Sequence, residues 1–149
     1  MAIVRELHSH GADINHPDYY GQTPMYIAST GGDIDTMEGL FELGADVDTP
    51  ARSGYSPFFM AAAYGFLDAV KLLHEMGANM DAAGGFYNDT ALIVYAYLGH
   101  DMIVEFLVDV DVDLDVAASD GMTALDNAKA QGNVNIVEIL LIKKCSSMD

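Results

Sequence analysis

Residues 54–81 read GYSPFFMAAAYGFLDAVKLLHEMGANMD, and this stretch decides the fold. Ser56 and Pro57 are typical of a helix start, because a hydroxyl side chain can cap free N–H groups and the first helical residue does not need the N–H that proline lacks. Gly65 and Gly77 each follow an apolar run. Glycine is typical of a helix end because it tolerates positive φ. The stretch therefore predicts two short helices, each closed by a glycine turn.

The same pattern recurs along the whole chain. One register consists of the turns at 11–15, 44–48, 77–81 and 111–115, and a second consists of the helix starts at 21–24, 54–57, 88–91 and 121–124. Each register advances by 33 residues, apart from one step of 34 that falls in the same part of the chain. Two independent registers that share one insertion indicate genuine internal repeats.

On these residues the chain resembles the ankyrin-repeat family, which has a 33-residue period and a T-P-L-H-x-A signature. The residues that match the first two signature positions are Thr23, Pro24, Ser56, Pro57, Thr90 and Thr123. The resemblance covers nearly all of the chain. It implies an all-α fold, an ankyrin-repeat solenoid of stacked helix-turn-helix units with β-turn fingers.

The registers predict one ankyrin-repeat domain over residues 1–149. It would contain an N-terminal half repeat at 1–15, full repeats at 16–48, 49–81 and 82–115, and a C-terminal capping repeat at 116–149. The half repeat matches only a second helix, so we expect a start in mid-repeat, through trimming of a longer array or loss of a helix. Apolar residues at helical spacing predict buried stripes between repeats, with Leu107 and Leu140 among them.

Two departures from the family pattern carry expectations of their own. The fourth signature position, usually His, holds Tyr26, Phe59, Ile93 and Asp126. We therefore expect packing to replace the hydrogen bonds that this His normally supports. The third full repeat is irregular, because Tyr95 stands at a small-residue position and 82–87 contain the extra residue. Tolerated drift and a repeat reshaped for a partner both remain open as explanations.

Composition restricts the function classes. Six Lys and Arg against 23 Asp and Glu give a formal net charge of −17, which argues against nucleic acid and acidic membrane surfaces as direct partners. The sequence has no apolar run of membrane-spanning length, no signal-peptide layout at its start and a single cysteine, Cys145. These features favour an intracellular location, cytoplasmic or nuclear.

Chemistry-bearing motifs are scarce. The five histidines are scattered among different repeats, without a nucleophile or carboxylate in a recurring arrangement. The alternating carboxylates at 109–115 fail as a calcium loop, because Leu114 and Asp120 stand where such a loop needs Gly and Glu. We therefore predict no catalytic residue, no metal site, no cofactor and no enzymatic activity.

The resemblance also implies where a partner would bind. Ankyrin proteins usually bind through finger residues around the turn glycine and through the last residues of the first helix. The residues of this chain at those positions are Tyr19, Tyr20, Gln22, Arg52, Ser53, Tyr55, Tyr64, Phe86, Tyr87, Asp89, Tyr97, Leu98, Asp120 and Met122. Six of the eight tyrosines are among them, and tyrosine is enriched at interface hot spots.

We therefore predict a non-catalytic protein–protein interaction module. A Tyr-rich, acidic concave face would bind a partner protein or peptide, and the carboxylates favour a basic segment. Two alternatives stay open, a trimmed regulatory or scaffolding segment of a longer multidomain protein and an engineered ankyrin binder. The irregular third repeat and the non-consensus helices argue against a consensus library.

Overall fold

The structure is a computed structural model that describes residues 2–146, apart from the side chains of Ala2, Ile3, Val4 and Leu7. The outermost residues of the predicted domain, Met1 and 147–149, lie outside the described residues. Over the described range the chain forms nine helices. They are α1 (Ala2–Ser9), α2 (Pro24–Gly31), α3 (Ile34–Glu42), α4 (Pro57–Ala63), α5 (Leu67–Glu75), α6 (Ala91–Leu98), α7 (Asp101–Asp109), α8 (Ala124–Gln131) and α9 (Val134–Ser146).

The first helix of each full repeat, and that of the capping repeat, begins one residue after the predicted hydroxyl residue. Each of these side chains accepts a hydrogen bond from the N–H three residues later. The capped pairs are Thr23 with Tyr26 at 3.2 Å, Ser56 with Phe59 at 3.2 Å, Thr90 with Ile93 at 3.4 Å and Thr123 with Asp126 at 3.3 Å. Thr23, Ser56 and Thr90 are buried, so the cap also satisfies a hydroxyl that has left water.

Residues with positive φ close the helices and shape the turns. Gly32 ends α2 with a φ of 63°. Two such positions hold other residues, because Asp111 adopts a φ of 59° and Asn88 a φ of 54°. Short polar side chains tolerate this conformation better than most residues. The repeat pattern therefore survives the replacement of glycine at both positions.

The helices form two compact units, unit 1 (Met1–Asn79) and unit 2 (Met80–Asp149). In unit 1, the first helices α2 and α4 pack together, and α3 and α5 pack on them and on each other. In unit 2, α6 packs on α8, α7 packs on α9, and each first helix also contacts its own second helix. The fold is the predicted all-α arrangement of stacked helix-turn-helix repeats. The proposed domain boundaries stay a prediction.

Each unit has a core of large apolar side chains. In unit 1 the fully buried ones include Met25, Met37, Leu40, Phe58 and Leu73, and in unit 2 they include Tyr95, Val104, Leu107, Ile136 and Leu140. The predicted burial of Leu107 and Leu140 is confirmed. The irregular Tyr95 is part of this core, and its ring centroid lies 5.7 Å from that of His100.

Short loops at the helix starts form the fingers, at 18–22, 51–55, 84–89 and 118–122. Asp18 N–H donates to the Gln22 carbonyl at 3.0 Å, and the same bond recurs from Ala118 to Met122 at 3.0 Å. In the longer third finger, Gly84 and Asp89 exchange two main-chain hydrogen bonds of 3.0 and 3.1 Å. The extra residue of this repeat therefore lies inside a paired loop.

The Asp-rich turns that follow the second helices are fixed by side-chain acceptors. In unit 1, Asn15 Oδ1 accepts the Asp46 N–H at 2.8 Å, and Asp48 Oδ1 accepts the Asn79 N–H at 2.9 Å. In unit 2, Asp81 Oδ1 accepts the Asp113 N–H at 3.0 Å. These acceptors link one repeat to the next. Within the alternating carboxylates at 109–115, Asp113 Oδ1 accepts the Asp115 N–H at 2.9 Å.

The expectation at the fourth signature position is correct for two repeats and wrong for the other two. Phe59 stacks on Tyr55 with 4.4 Å between ring centroids, and Ile93 is buried. Tyr26, however, forms a hydrogen bond with the Ser53 side chain. Asp126 accepts the N–H and the hydroxyl of Thr123 at 3.1 and 2.7 Å. Polar residues at this position therefore keep side-chain hydrogen bonds, because each lies within reach of a hydroxyl.

Candidate functional site

The fingers of each unit pair through one equivalent main-chain hydrogen bond. In unit 1, Arg52 N–H donates to the Tyr20 carbonyl at 3.0 Å, and in unit 2, Ser119 N–H donates to the Tyr87 carbonyl at 2.9 Å. Tyr20 and Tyr87 are 67 residues apart, and so are Arg52 and Ser119. Within each unit, the predicted binding residues therefore lie on fingers that are paired by the same main-chain hydrogen bond at equivalent positions.

The fourteen predicted binding residues all reach solvent. Ten are exposed, namely Tyr19, Tyr20, Arg52, Ser53, Tyr64, Phe86, Tyr87, Tyr97, Leu98 and Asp120, and four are half-buried, namely Gln22, Tyr55, Asp89 and Met122. Phe86 is 101% exposed and Tyr19 77%. These rings lie at the surface although burial would be favourable for each of them.

Unit 1 presents an aromatic surface that holds a cation of its own. The Tyr19 and Tyr20 rings meet edge to face with centroids 5.3 Å apart. The Arg52 guanidinium lies 5.1 Å from the Tyr19 ring centroid, which is cation–π distance. Tyr64 and Phe66 form a further pair at 6.2 Å. This surface therefore already contains a guanidinium–aromatic contact.

Finger carboxylates also hold the loops in shape. Asp18 Oδ1 accepts the N–H groups of Tyr20 and Gln22, both at 2.8 Å. In unit 2, Asp120 Oδ1 accepts the Met122 N–H at 2.9 Å. These bonds hold the main chain of the fingers in a fixed turn. The charge of each carboxylate stays at the surface beside the aromatic residues.

Unit 2 contains a surface cavity of about 400 Å³, which we call the acidic pocket. Five of its lining residues are predicted binding residues, namely Tyr87, Asp89, Tyr97, Leu98 and Asp120. They come from two successive fingers and from the last turn of α6. The pocket therefore combines aromatic and aliphatic walls with two carboxylates.

Two sequence profiles match the chain. One, described as ankyrin repeats (3 copies), matches residues 58–149, and another, described as ankyrin repeats (many copies), matches residues 1–40. The chain belongs to the ankyrin-repeat family. No curated protein matches the sequence. Ankyrin repeats generally mediate protein–protein interaction and are typically non-catalytic.

Three further residues that line the acidic pocket were not predicted from the sequence. They are Ile93, Val94 and Asn127. Val94 and Asn127 each lie four residues after the capping threonine of their helix. Residues three or four apart share a helix face, so Tyr97 and Leu98, already predicted, implied Val94. For Asn127, the same repeat position supplies the signal.

The electrostatics of the acidic pocket favour a positive charge. Partial burial raises the pKa of the Asp89 carboxyl, and the negative charge of Asp120 raises it further. Both effects oppose the charged form of Asp89. The eight lining residues include no Lys, Arg or His. A cation in the pocket would therefore reduce the repulsion between Asp89 and Asp120, which no positively charged lining residue offsets.

Over residues 2–146, no helix combines the length and the apolar character that crossing a bilayer requires. In the same range, no three His, Cys, Asp or Glu side chains are grouped so that they could hold a metal ion.

Proposed function

We propose that this ankyrin-repeat chain is a non-catalytic binding module that holds a partner protein or peptide through its finger and first-helix residues. The observation that carries the proposal is the exposure of tyrosine at the positions the family uses for binding. Tyr19, Tyr20, Tyr64, Tyr87 and Tyr97 are between 49% and 77% exposed. Tyrosine supplies large contact area with few rotatable bonds, which suits an interface.

The charge distribution supports a basic partner segment. The chain has a net charge of −17, and Asp89 and Asp120 lie among the aromatic residues of unit 2. Complementary charge speeds association and disfavours acidic competitors. Binding should weaken as salt is added, because mobile ions screen exposed charges. Affinity that does not change with salt would remove the basic partner from the proposal and leave the aromatic contacts.

The test is affinity capture with paired variants. One variant combines Tyr19→Ala, Tyr20→Ala and Tyr64→Ala, and a second combines Tyr87→Ala and Tyr97→Ala. Extracts of the cells from which the protein comes are passed over each immobilised chain, and mass spectrometry identifies the retained proteins. We expect a set that the unchanged chain retains and that at least one variant loses.

The control combines Phe41→Ala with Met102→Ala. These side chains are 45% and 67% exposed, but they lie on the second helices α3 and α7. Circular dichroism should show unchanged helix content in all variants, because every truncated side chain lies at the surface. The proposal is wrong if the tyrosine variants retain the same proteins as the unchanged chain, or if the control loses them too.

A further inference from the structure

We infer that the acidic pocket of unit 2 receives an arginine side chain of the bound partner. The inference deepens the proposed protein-binding function and rests on it. The pocket offers about 400 Å³ of space, aromatic and aliphatic walls and two carboxylates. An arginine side chain has matching parts, an apolar stem and a planar cation.

The walls suit the stem and the face of a guanidinium. Tyr87 and Tyr97 are exposed over 69% and 49% of their surface, and the buried Ile93 also lines the pocket. Tyrosine faces attract cations, and arginine forms such contacts more often than lysine. The methylene stem can cover Leu98 while the charged head reaches the carboxylates. Shape and wall chemistry therefore fit one side chain inserted from solvent.

The two carboxylates favour arginine over lysine. Asp89 is half-buried, Asp120 is exposed, and the charge of Asp120 acts on Asp89. A guanidinium has five N–H donors and can serve two carboxylates at once. It is also less strongly hydrated than an ammonium group, so it enters a partly dehydrated site more readily. A neutral ligand would leave the repulsion between the carboxylates in place.

Unit 1 contains the same type of contact within the chain. There, Arg52 lies over the ring of Tyr19 at 5.1 Å. The residues 67 positions later are Ser119 and Phe86, and the Phe86 ring is 101% exposed. The carboxylates Asp89 and Asp120 stand where unit 1 has Gln22 and Ser53. Unit 2 thus exchanges an internal guanidinium for acidic residues that can bind an external one.

The pocket also gives the contact a pH dependence. Besides Asp89, the titratable residues that line the pocket are Asp120, Tyr87 and Tyr97, and none of them brings a positive charge. Because the pKa of Asp89 is raised, its charge is lost at a higher pH than that of an ordinary aspartate. Arginine binding should therefore weaken as the pH falls through the Asp89 pKa.

The experiment is an NMR titration of the ¹⁵N-labelled full chain with N-acetyl-arginine amide. N-acetyl-citrulline amide is the matched probe, because it keeps the shape and lacks the charge, and Nα-acetyl-lysine amide tests the preference for a guanidinium. We expect arginine to shift the backbone signals of residues 87–98 and 120–127, with affinity at least about fivefold above either other probe, which is about 1 kcal/mol.

Variants locate the contact. Asp89→Asn removes one charge, and Asp120→Asn removes the other while its amide oxygen can still accept the Met122 N–H. The control is Asp109→Asn, which makes the same charge change at the end of α7. We expect each pocket variant to weaken arginine binding at least about fivefold and the control to leave it within about twofold. Equal binding of arginine and citrulline, or equal effects of all three variants, would overturn the inference.

The outcome is separable from that of the proposed function. If the tyrosine variants lose the captured partner while Asp89→Asn and Asp120→Asn keep it, and the arginine probe shifts no pocket signal, the pocket inference is wrong and the binding module stands. If Asp89→Asn and Asp120→Asn lose both the probe and the partner, the inference is supported.

Discussion

The fingers of unit 1 and unit 2 share one backbone frame and differ in chemistry. In unit 1, the Arg52 guanidinium lies over the Tyr19 ring, and Tyr26 forms a hydrogen bond with the Ser53 side chain. In unit 2, the pocket leaves Asp89 and Asp120 facing the same space. Substitutions at a few surface positions account for this difference. In unit 1 these polar side chains contact other groups of the chain, whereas in unit 2 the carboxylates attract a cation from outside the chain. The first helices of both units keep a hydroxyl cap.

The two units agree at their core positions and differ at their finger positions. Leu40 and Leu107 are counterparts, and both are fully buried. Gln22 and Asp89 are also counterparts, and they differ in charge. The core positions keep their character because packing constrains them. The finger positions can vary because they do not carry the fold, so binding chemistry can change without loss of structure.

The largest expected effect is the loss of a core side chain. Leu40→Ala in unit 1 and Leu107→Ala in unit 2 should each lower the free energy of unfolding by about 2–5 kcal/mol, because each leaves a buried cavity. Chemical denaturation measures the loss. Hydrogen exchange should show the largest loss of protection within the unit that carries the substitution, since repeat stability depends on near neighbours. Equal loss of protection throughout the chain would contradict this.

The next largest effect concerns one finger position at which the main chain of unit 1 carries glycine and that of unit 2 does not. Gly21 has a φ of 78°, and a Cβ there would lie 2.9 Å from the Arg52 nitrogen. Its counterpart is Asn88, with a φ of 54°. Gly21→Asn should destabilise the chain by about 1–3 kcal/mol, because the finger must shift. Asn88→Gly should stabilise it by about 1 kcal/mol or less, because it relieves the left-handed conformation.

Thermal and chemical unfolding of both variants check this asymmetry. The matched control is Gly121→Asn, where a Cβ would meet no heavy atom within 4 Å although φ is 82°. It should therefore lose less stability than Gly21→Asn. A loss as large as that of Gly21→Asn would show that the conformation of the glycine, and not the contact with Arg52, decides the effect.

Much of the fold could be predicted from the sequence, because it depends on local signals that repeat. The hydroxyl caps and the turn glycines place helix ends within one or two residues. The second helix of the stretch at 54–81, for example, runs over Leu67–Glu75. Asp111 stands at the turn-glycine position of the register at 111–115, and it adopts the positive φ of that position, 59°. Periodic signals of this kind need no knowledge of tertiary contacts.

The acidic pocket could be predicted only in part. Its exposed aromatic residues follow from the family's binding positions, but the pairing of Asp89 with Asp120 depends on two fingers being brought together by helix packing. Partial burial of Asp89, which raises its pKa, has no signature in sequence spacing. The same holds for the hydrogen bond between Tyr26 and Ser53. Side-chain geometry between successive repeats therefore limits what the sequence alone can tell.

A smaller effect concerns the free energy of unfolding, which the charged form of Asp89 lowers. Its pKa is higher in the folded chain than its ordinary value, so the folded state binds this proton more tightly than the unfolded state. Stability is then lost as the pH rises through the raised pKa, and is fully kept below the ordinary value. Asp89→Asn should therefore modestly raise the free energy of unfolding at neutral pH and leave it unchanged in acid. Denaturation at both pH values measures the difference.

The control for this prediction is Asp109→Asn, an exposed carboxylate on the same unit. It should show no comparable gain at neutral pH. A loss of stability in Asp89→Asn at neutral pH would contradict the prediction, since it would mean that the charged carboxylate helps to hold the finger. A gain would indicate that the chain keeps a destabilising charge at its surface, as binding sites often do.

The smallest expected effect comes from exchanging the guanidinium between the units. Arg52→Ser and Ser119→Arg alter side chains only, because the finger hydrogen bonds to Tyr20 and Tyr87 use the main-chain N–H groups. Loss of the Arg52 contact with Tyr19 should cost about 0.5 kcal/mol, the low end for an exposed cation–π pair. Chemical denaturation against the unchanged chain measures it.

The exchange also distinguishes the contribution of the aromatic rings to arginine binding from that of the carboxylates. Ser119→Arg places a guanidinium beside the carboxylates of unit 2, so it should compete with N-acetyl-arginine amide and weaken its binding. Arg52→Ser frees the Tyr19 ring, but Gln22 and Ser53 stand where unit 2 has its two carboxylates. The nearby Asp18 carboxylate already accepts two finger N–H groups, so we expect the probe not to bind unit 1. If the freed ring alone captured the probe, aromatic stacking would be sufficient, and the carboxylates of unit 2 would lose their assigned role.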